Sequence, residues 1–469
     1  MGGGAGGGPV GMSVRAVTNF VVLPADSSLW KGAVVEAAEF CAAVSATFTA
    51  AGFAVQTLRI VTNPFGEYLD TTSAETAVAG MLVLKAILDS DAMPQVLTTQ
   101  VVLSPSSLLA RDSLLYSLFP LSLRLYLCYH HPPGRLLRHR HRPRPRHAMP
   151  QGTRIRFAIG EARTAADLLL VPALIAHAAD LANCCVNIPS DGLGLPDAAL
   201  TAAAARCCAT LATATAGGEG NFNFTANFNM GPGCPYFPAA YNRADCGANF
   251  AVGLEYPDLM VATLAALPPA ASWEERFAAL AAAITPPMAA LDALARAHAS
   301  TSGVRFAGFD SSAAPSKETA SMAEVCEVGL GLPHFGAAGT VQCASFLTRV
   351  FKSVGTAAGG ALDLVGFSGF MLACLEDVGL AAAAAAGQYD IRSLMTYSAV
   401  CGIGLDTVPI PGDTPTEKIA ALMADTGTMA FRLQKPLTVR LFPCPGLKAG
   451  DMTTFTSADL CNCAVFAVP

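Results

Sequence analysis

The chain alternates between segments with the apolar spacing of a strand and segments with that of a helix, and this order constrains its fold more than any other feature. Val14 to Leu23 predicts a strand that ends at Pro24, Ser28 to Ala50 predicts a helix, and Phe53 to Thr62 predicts the next strand. Strands that alternate with helices form βαβ units, whose strands run parallel. We therefore expect an α/β fold with a largely parallel sheet.

The same alternation continues along the rest of the chain. Later strands are expected at Ile155 to Ile159, Val304 to Phe309, Leu437 to Phe442 and, as the strand that completes the sheet, Ala464 to Val468. Helices are expected at Ser73 to Ser90, between Arg163 and Thr215, and at Ser272 to His298, Ser316 to Gly329, Gly339 to Val354, Ala361 to Ala386 and Thr414 to Arg432. The apolar runs Leu168 to Ile188 and Ala361 to Gly387 contain charges or proline, so we interpret them as buried core helices rather than membrane spans.

Composition limits the partners and the compartment. The 469 residues are 52% hydrophobic, which is enough for a large core, and the net charge of -6 with 14% charged residues gives no reason to expect a nucleic acid or a membrane as partner. The 15 cysteines form no pair of zinc knuckles, and their odd number without a secretory segment favours a reducing compartment. We expect a cytoplasmic protein.

One region breaks the alternation. Ser104 to Pro150 is rich in Leu and Ser and then turns into an arginine-rich run, Arg135 to His147. Such a run can bind nucleic acid, and clustered histidines can bind metal, but a low-complexity insertion without ordered structure fits its lack of apolar periodicity better. We predict a flexible leader at 1–12, one domain formed by 13–103 and 151–469, and a basic insertion at 104–150.

The segment Cys401 to Asp413 carries the densest set of chemical groups. It holds one thiol, two carboxylates, three glycines and two prolines, a composition that predicts a stiff loop. Cys401 is a candidate nucleophile or acid/base, and Asp406 and Asp413 are candidates to orient a substrate or a divalent metal. Asp413 also precedes a predicted helix, where it would serve as the N-cap.

The predicted strand Asn221 to Asn229 contains a row of asparagines. Alternate residues of a strand share a face, so the asparagines would line one side and the phenylalanines the other. Asn223, Asn227 and Asn229 are candidate ligand-binding residues, with a solvated sheet face or a buried amide ladder as the alternative.

Two strand-end loops add candidate binding residues. Asp310 follows one predicted strand and Lys448 follows another, and α/β proteins bind ligands at such ends. Lys448 could neutralise a carboxylate or a phosphate, or simply keep an exposed turn soluble.

Several of these segments occur together, in the same order, in one known family. The chain resembles the domain of unknown function 711 family, also called pyruvate-formate-lyase-like, along nearly all of its length except the leader and the insertion. The segments that carry the resemblance are Arg59 to Phe65, Pro235 to Tyr241, Asp310 to Pro315, Cys401 to Asp413 and Arg440 to Asp451.

The resemblance implies a closed barrel of about ten strands surrounded by helices, like that of the glycyl radical enzymes, with a loop inserted into it. Cys401 would lie on that loop, and the barrel mouth would gather the Cys401 loop, the asparagine row and the Lys448 turn. The chain lacks the Arg-Val-x-Gly-Tyr type of segment that stores a glycyl radical, so we do not expect radical chemistry.

Two main classes of function remain open, and a purely structural assembly unit is a third. In the first, the protein is an enzyme that acts on a small polar metabolite, with Cys401 and Asp406 as catalytic residues. In the second, it is a non-catalytic sensor that binds a small molecule or a divalent metal. The sequence identifies no cofactor, and a homodimer stays open. Rapid, ligand-blocked alkylation of Cys401 would favour the enzyme, and an inert Cys401 with ligand-induced stabilisation would favour the sensor.

Overall fold

The computed structural model of the protein describes residues 11–94, 155–178, 181–357 and 362–469. The described residues belong to one compact unit, which continues on both sides of the range 95–154. The predicted insertion at 104–150 and nearly all of the predicted leader lie outside the described residues.

The described residues alternate between strands and helices, as the sequence predicts. The strands are β1 (Ser13–Phe20), β2 (Val55–Val61), β3 (Arg156–Ala162), β4 (Asn183–Ile188), β5 (Phe224–Phe228), β6 (Asn249–Glu255), β7 (Arg305–Asp310), β8 (Gly404–Pro411) and β9 (Leu437–Cys444). The main helices are α1 (Trp30–Ala50), α2 (Ala74–Leu88), α3 (Ala165–Ala178), α4 (Ala198–Ala214), α5 (Pro257–Ala265), α6 (Trp273–Ser302), α7 (Thr340–Ala357), α8 (Val378–Ala385), α9 (Ile391–Ser398) and α10 (Thr416–Arg432).

The nine strands of the described residues form one sheet in the order β7-β6-β1-β2-β3-β4-β5-β9-β8. Strands β1 to β5 are parallel to one another, β6 and β9 pair antiparallel with β1 and β5, and β7 and β8 run parallel to their neighbours β6 and β9. The predicted α/β class and the largely parallel sheet are therefore confirmed.

The two edge strands each contact the segment 362–376. Leu364 forms a parallel bridge with Phe309 of β7, and Ala373 forms a parallel bridge with Asp406 of β8. Within the described ranges no strand ladder joins β7 to β8, so the expected closed barrel is not confirmed. What the structure establishes is a large, mostly parallel nine-stranded sheet surrounded by helices.

Helices pack on the sheet through one apolar face each. In α1 the buried side chains include Val34, Cys41, Val44 and Phe48, whose spacing of three, four or seven residues places them on one side of the helix. The helix α6 begins with a capping box in which the Ser272 side chain accepts from the Glu275 amide and the Glu275 side chain accepts from the Ser272 amide.

Two helical stretches of the described chain, Ser27–Ala50 and Trp273–Ser302, are long and apolar enough to cross a membrane by length and composition. Core helices of soluble proteins meet the same criterion, and both stretches place a buried face against the rest of the protein. They are weak evidence for a membrane role.

The expected loop at Cys401 to Asp413 is wrong, because most of it is the strand β8. Proline removes a donor from a strand ladder and is tolerated at the edge of a sheet. Pro409 and Pro411 lie on such an edge, since β8 is the last strand of the sheet and has a ladder with β9 only.

Four other predicted elements are also wrong. Leu168 to Ile188 is not one buried helix, because α3 ends at Ala178 and the Cys184-Cys185 doublet lies in β4. Ala361 to Ala386 is helical only in α8, because the segment before it bridges both edge strands. Ser316 to Gly329 forms only short helical turns from Met322 onward, and the C-terminus contributes only an isolated bridge between Met452 and Ala464.

Candidate functional site

The loop after β5 lies against one face of the sheet. The carbonyl oxygen of Pro235 accepts a hydrogen bond from Thr18 Oγ1 of β1 at 2.9 Å and one from Arg59 Nη1 of β2 at 3.3 Å. Further along the loop, the carbonyl oxygen of Ala239 accepts from Asn227 Nδ2 of β5 at 3.0 Å. One short loop thus joins strands that are separated by several positions in the sheet.

The same loop also reaches β6. The hydroxyl of Tyr236 donates to the carbonyl of Leu254 at 3.0 Å and accepts from its amide at 2.9 Å. A Cβ at Gly253 would come within 2.7 Å of the Tyr236 ring, so glycine at this position makes room for it. Residues 234–241 thus contact β1, β2, β5 and β6, whereas most of the expected Cys401 loop is the strand β8.

A small pocket opens beside this loop. Its volume of about 60 Å³ gives room for a few waters or one small acid, because one ordered water needs roughly 10–15 Å³. Drug-sized ligands occupy pockets of roughly 300–1,000 Å³ and are excluded from this one as it stands. It is lined by Arg15, Arg59, Thr225, Tyr236, Phe237, Pro238, Ala239, Ala314, Pro315, Phe367, Met371, Ala373, Glu376, Ile403, Asp406, Thr438 and Arg440.

One wall of the pocket carries two carboxylates on a single arginine. Arg440 of β9 donates from Nε to Asp406 Oδ1 at 2.7 Å and from Nη2 to Asp406 Oδ2 at 3.0 Å, and the same Nη2 donates to Glu376 Oε1. Burial alone would lower the pKa of Arg440, but the two carboxylates outweigh it and raise the pKa. Burial raises the pKa of Glu376, although Arg440 opposes that shift.

Another wall of the pocket carries the guanidinium of Arg59, which has no carboxylate partner in the described part of the chain. Arg59 is only 7% exposed, and it donates to Thr57 Oγ1 at 3.1 Å and to the Pro235 carbonyl, with its guanidinium 4.9 Å from the centre of the Phe237 ring. No carboxylate of the described residues forms an ion pair with it. Burial, together with the nearby positive charges, lowers the pKa of Arg59 to about 9.

Two further arginines flank Arg59, and both are paired. Arg15 contacts Glu255 at 3.4 Å, and Arg156 donates from Nη2 to both carboxylate oxygens of Asp459 at 2.8 and 2.9 Å. Arg59 and Arg156 are register partners on adjacent parallel strands, so two like charges lie side by side. Like charges on neighbouring strands repel, and an anion placed beside them would relieve that repulsion.

Of the predicted catalytic residues, the structure places Asp406 in this pocket but not Cys401. The Cys401 side chain is fully buried in the main hydrophobic core, and its carbonyl accepts from Lys435 Nζ. Asp413 is exposed beyond the end of β8, so the strand separates it from the buried Asp406. It does not cap α10, whose N-cap is Pro415.

The three candidate asparagines lie in two environments. Asn227 is fully buried in β5, where it donates to Asn187 Oδ1 and accepts from Thr438 Oγ1 at 3.2 Å. Asn223 donates to Asn183 Oδ1 at 3.0 Å, whereas Asn229 is exposed with a positive φ of 53°. Two of the amides thus pair with asparagines of β4, as in the alternative of a buried ladder, and Thr225 between them lines the pocket.

The strand-end candidates also separate. Asp310 is fully buried, and its carboxylate accepts from the backbone amides of Ser312, Phe367 and Ser368 at 2.7–3.0 Å, which fixes the loop that brings Ala314 and Pro315 to the pocket. Burial raises the pKa of Asp310. Lys448 is exposed in a turn, where its amide donates to Asp451 Oδ2, and it does not line the pocket.

Sequence reasoning missed the residues that give the pocket its charge. Arg15, Arg59 and Arg440 each interrupt an otherwise apolar or neutral strand, and Glu376 ends an apolar run. In a chain with only 14% charged residues, a charge inside a buried strand is the signal that could have found them. Within the part of the chain that the structure describes, no group of three or more His, Cys, Asp or Glu could hold a metal ion.

The family described as Uncharacterised ACR (DUF711) matches residues 156–457, which is more than half of the chain. The chain therefore belongs to that family, and the predicted resemblance is confirmed at this level. Glu376, Asp406 and Arg440 lie within the matched region, whereas Arg15 and Arg59 precede it.

The names of curated relatives give a family and no activity. A UPF0210 protein of Pyrobaculum arsenaticum is 35% identical over 232 residues, which are 49% of this chain and 50% of the relative. UPF0210 proteins of Desulforudis audaxviator and Carboxydothermus hydrogenoformans are 39% and 37% identical over 154 residues, 33% of each chain. The matches span half or less of the length of these relatives, and the names state no activity.

Proposed function

We propose that the protein binds a small anionic metabolite, through a carboxylate or a phosphate group, in the pocket between Arg59 and Glu376. The observation that carries the proposal is the buried guanidinium of Arg59, which has no carboxylate partner among the described residues. A buried charge without a partner is costly, and proteins retain such charges mainly where a ligand completes the pair. A planar guanidinium matches a carboxylate or a phosphate through two parallel hydrogen bonds.

The surroundings of Arg59 support an anion rather than a neutral ligand. Arg15 and Arg156 both contribute to lowering the pKa of Arg59, and each has a larger effect than Glu376, which acts in the opposite direction, so the charges around the head group favour an anion. An arriving anion would restore the ordinary pKa of the guanidinium and gain the corresponding free energy. The space of about 60 Å³ restricts the bound group to a small acid or to the acidic end of a larger molecule.

We further propose that the protein is an enzyme that converts the bound metabolite. Glu376 lines the same pocket and its burial raises its pKa, which makes the carboxylate a stronger base and suits a group that accepts and returns a proton. We therefore prefer an enzyme without glycyl radical chemistry over a sensor. The sensor is favoured by a different observation, the burial of Cys401 away from the pocket.

We further propose that the sheet forms a closed cylinder, in which residues 362–376 join the two edge strands β7 and β8. The bridges of Leu364 to β7 and of Ala373 to β8 support this closure, and so does a pocket lined by both β2 and β8. Interior side chains of a small barrel converge on its axis, which explains how strands at distant sheet positions share one pocket. Cytoplasmic location, and the lack of nucleic acid and membrane partners, stay predictions.

Thermal unfolding with a panel of small acids tests the binding proposal. Small carboxylates and phosphates at millimolar concentration should raise the melting temperature of the wild-type protein, since a ligand at 100 times its Kd adds about 2.7 kcal/mol. Arg59→Met should abolish the shift. Arg305→Met removes an exposed arginine from β7 and serves as the matched control, which should keep it. A panel without any stabilising anion, or an equal shift in Arg59→Met, contradicts the proposal.

A second measurement separates enzyme from sensor. Any acid that binds is incubated with the protein in heavy water, and its carbon-bound protons are followed by NMR. Exchange that Glu376→Gln abolishes supports an enzyme with a proton-transfer step. Binding with neither exchange nor conversion of the ligand supports the sensor.

A further inference from the structure

The two walls of the pocket differ in how their charges are satisfied. On the β2 wall, Arg59 Nη2 has no hydrogen-bond partner among the described residues, and none of their carboxylates forms an ion pair with the guanidinium, on which Glu376 acts only at longer range. On the β9 wall, two carboxylates share Arg440, which leaves an excess of negative charge there. The pocket therefore presents a cation at one end and an anion at the other.

Glu376, rather than Asp406, holds the available acceptor. Both oxygens of Asp406 accept from Arg440, at 2.7 and 3.0 Å. Glu376 is bonded to Arg440 through Oε1, and Oε2 accepts from none of the residues that the structure describes. Its side chain is 15% exposed, so Oε2 can reach a group in the pocket.

Other polar groups that line the pocket are already engaged. Thr225 and Thr438 share a hydrogen bond and contact the carbonyls of Val439 and Ala226. The Tyr236 hydroxyl is used by the backbone of Leu254. The charged ends of Arg59 and Glu376 are therefore the features that would select a ligand.

We propose that the pocket takes a small amino acid in its zwitterionic form, with the carboxylate on Arg59 and the ammonium group on Glu376 Oε2. This rests on the proposed function, which it deepens by naming the substrate class. The apolar lining from Ala314, Met371 and Ile403 suits a short aliphatic side chain, and the volume of about 60 Å³ sets a low limit on its length. Burial raises the pKa of Glu376, and an ammonium partner would lower it again.

Isothermal titration calorimetry with matched ligands tests the assignment. Glycine, alanine and valine are each compared with the acid that lacks the amino group and with the acid that carries a hydroxyl in its place. At least one amino acid should bind about tenfold or more tightly than both counterparts, because a charge-assisted hydrogen bond to an ion exceeds a neutral one by that factor. Ethylamine, which lacks the carboxylate, should not bind.

Two variants test the carboxylate-binding and the ammonium-binding ends of the pocket separately. Glu376→Gln should reduce the amino acid to the affinity of its des-amino counterpart and leave that counterpart unchanged, and Arg59→Met should abolish both. Glu75→Gln removes an exposed charge at the start of α2 and should leave every affinity unchanged. If Glu376→Gln does not fold, the comparison of ligands on the wild-type protein still tests the assignment.

The outcomes distinguish this inference from the proposed function. Acids that bind through Arg59 equally well with and without an amino group overturn the amino acid assignment and leave the anion site standing. Hydroxy acids that bind as tightly as amino acids also overturn it, because they need a hydrogen bond but no charge. If none of the acids binds, the anion site and the amino acid assignment fall together.

Discussion

Replacing Arg59 by methionine should stabilise the ligand-free protein while it removes anion binding. The guanidinium is 7% exposed and lacks a carboxylate among the described residues, so the folded protein bears the cost of a desolvated charge. Methionine keeps the length and apolar volume of the side chain without the charge. The site is thus kept for function at the expense of stability.

The magnitude follows from the pKa of Arg59. A value of about 9 in place of the ordinary 12.5 corresponds to roughly 5 kcal/mol of destabilisation of the charged form. Because the pKa in the folded state is lowered, this cost is fully present at neutral pH and is lost as the pH rises from about 9 to 12.5. Methionine forfeits the ring contact with Phe237, about 1 kcal/mol, and the hydrogen bonds to Thr57 Oγ1 and to the Pro235 carbonyl, together about 1–3 kcal/mol, although Thr18 still donates to that carbonyl. A net stabilisation of about 1–3 kcal/mol remains.

Urea unfolding at pH 7 in the absence of ligand measures the effect through the midpoint and the slope of the transition. Arg156→Met is the matched control, because Arg156 is the register partner of Arg59 but is paired with Asp459. That variant should lose up to about 1 kcal/mol, since the pair is partly exposed. Adding a bound acid should stabilise the wild-type protein and not Arg59→Met.

A different result would refute the reasoning. If Arg59→Met lowers the free energy of unfolding by as much as Arg156→Met or more, then Arg59 is a structural cation whose carbonyl and ring contacts outweigh its desolvation. The unpaired charge would then no longer point to a ligand.

The remaining predictions concern the residues around the pocket. Burial raises the pKa of Glu376 in the folded state, so the wild-type protein should lose stability relative to Glu376→Gln as the pH rises from 4.5 through that raised value, measured by urea unfolding at stepped pH. Asp310→Asn should cost about 2–4 kcal/mol, because an amide nitrogen would face the backbone amides that the carboxylate now accepts from. Gly366→Ala should cost about 1–3 kcal/mol, since φ is 63° there and a Cβ would lie 2.3 Å from Asp310 Oδ2. Alkylation followed by mass spectrometry should label Cys401 more slowly than the partly exposed Cys246 by at least about a hundredfold, because Cys401 reacts only after local opening.

For each of these predictions, one outcome would contradict it. A Glu376→Gln curve parallel to that of the wild-type protein would mean that the carboxylate titrates normally. A neutral Asp310→Asn or Gly366→Ala would show that the loop tolerates rearrangement. Fast, ligand-blocked labelling of Cys401 would restore it as a candidate nucleophile.

Local sequence patterns were sufficient to predict many of the helices and strands. The expected helix at Ser28 to Ala50 matches α1, and the expected strands at Val14 to Leu23 and Phe53 to Thr62 match β1 and β2. Apolar spacing and capping residues act within a few positions along the chain, so they can be read without knowing the partners. That is why the α/β class could be predicted.

The segments that failed depend on contacts distant in sequence. Residues 362–376 contain good helix formers but bridge both edge strands instead, because pairing there outweighs propensity. The prolines and glycines of Cys401 to Asp413 predict a loop, but β8 occupies a sheet edge where proline is allowed. Neither position in the sheet can be derived from the segment itself.

The amino-acid sequence by itself determined the alternation of strands and helices, the large apolar core and the membership of an uncharacterised family, because these rest on local spacing and on residue identity. Only the tertiary structure decided that Arg59 forms no ion pair with a carboxylate of the described residues, while Asp406 and Glu376 share Arg440. The charges come from strands and segments far apart in the chain, and which of them meet depends on sheet order and curvature. Pairing between charges is a property of distance in space, and that distance exists only after the chain has folded.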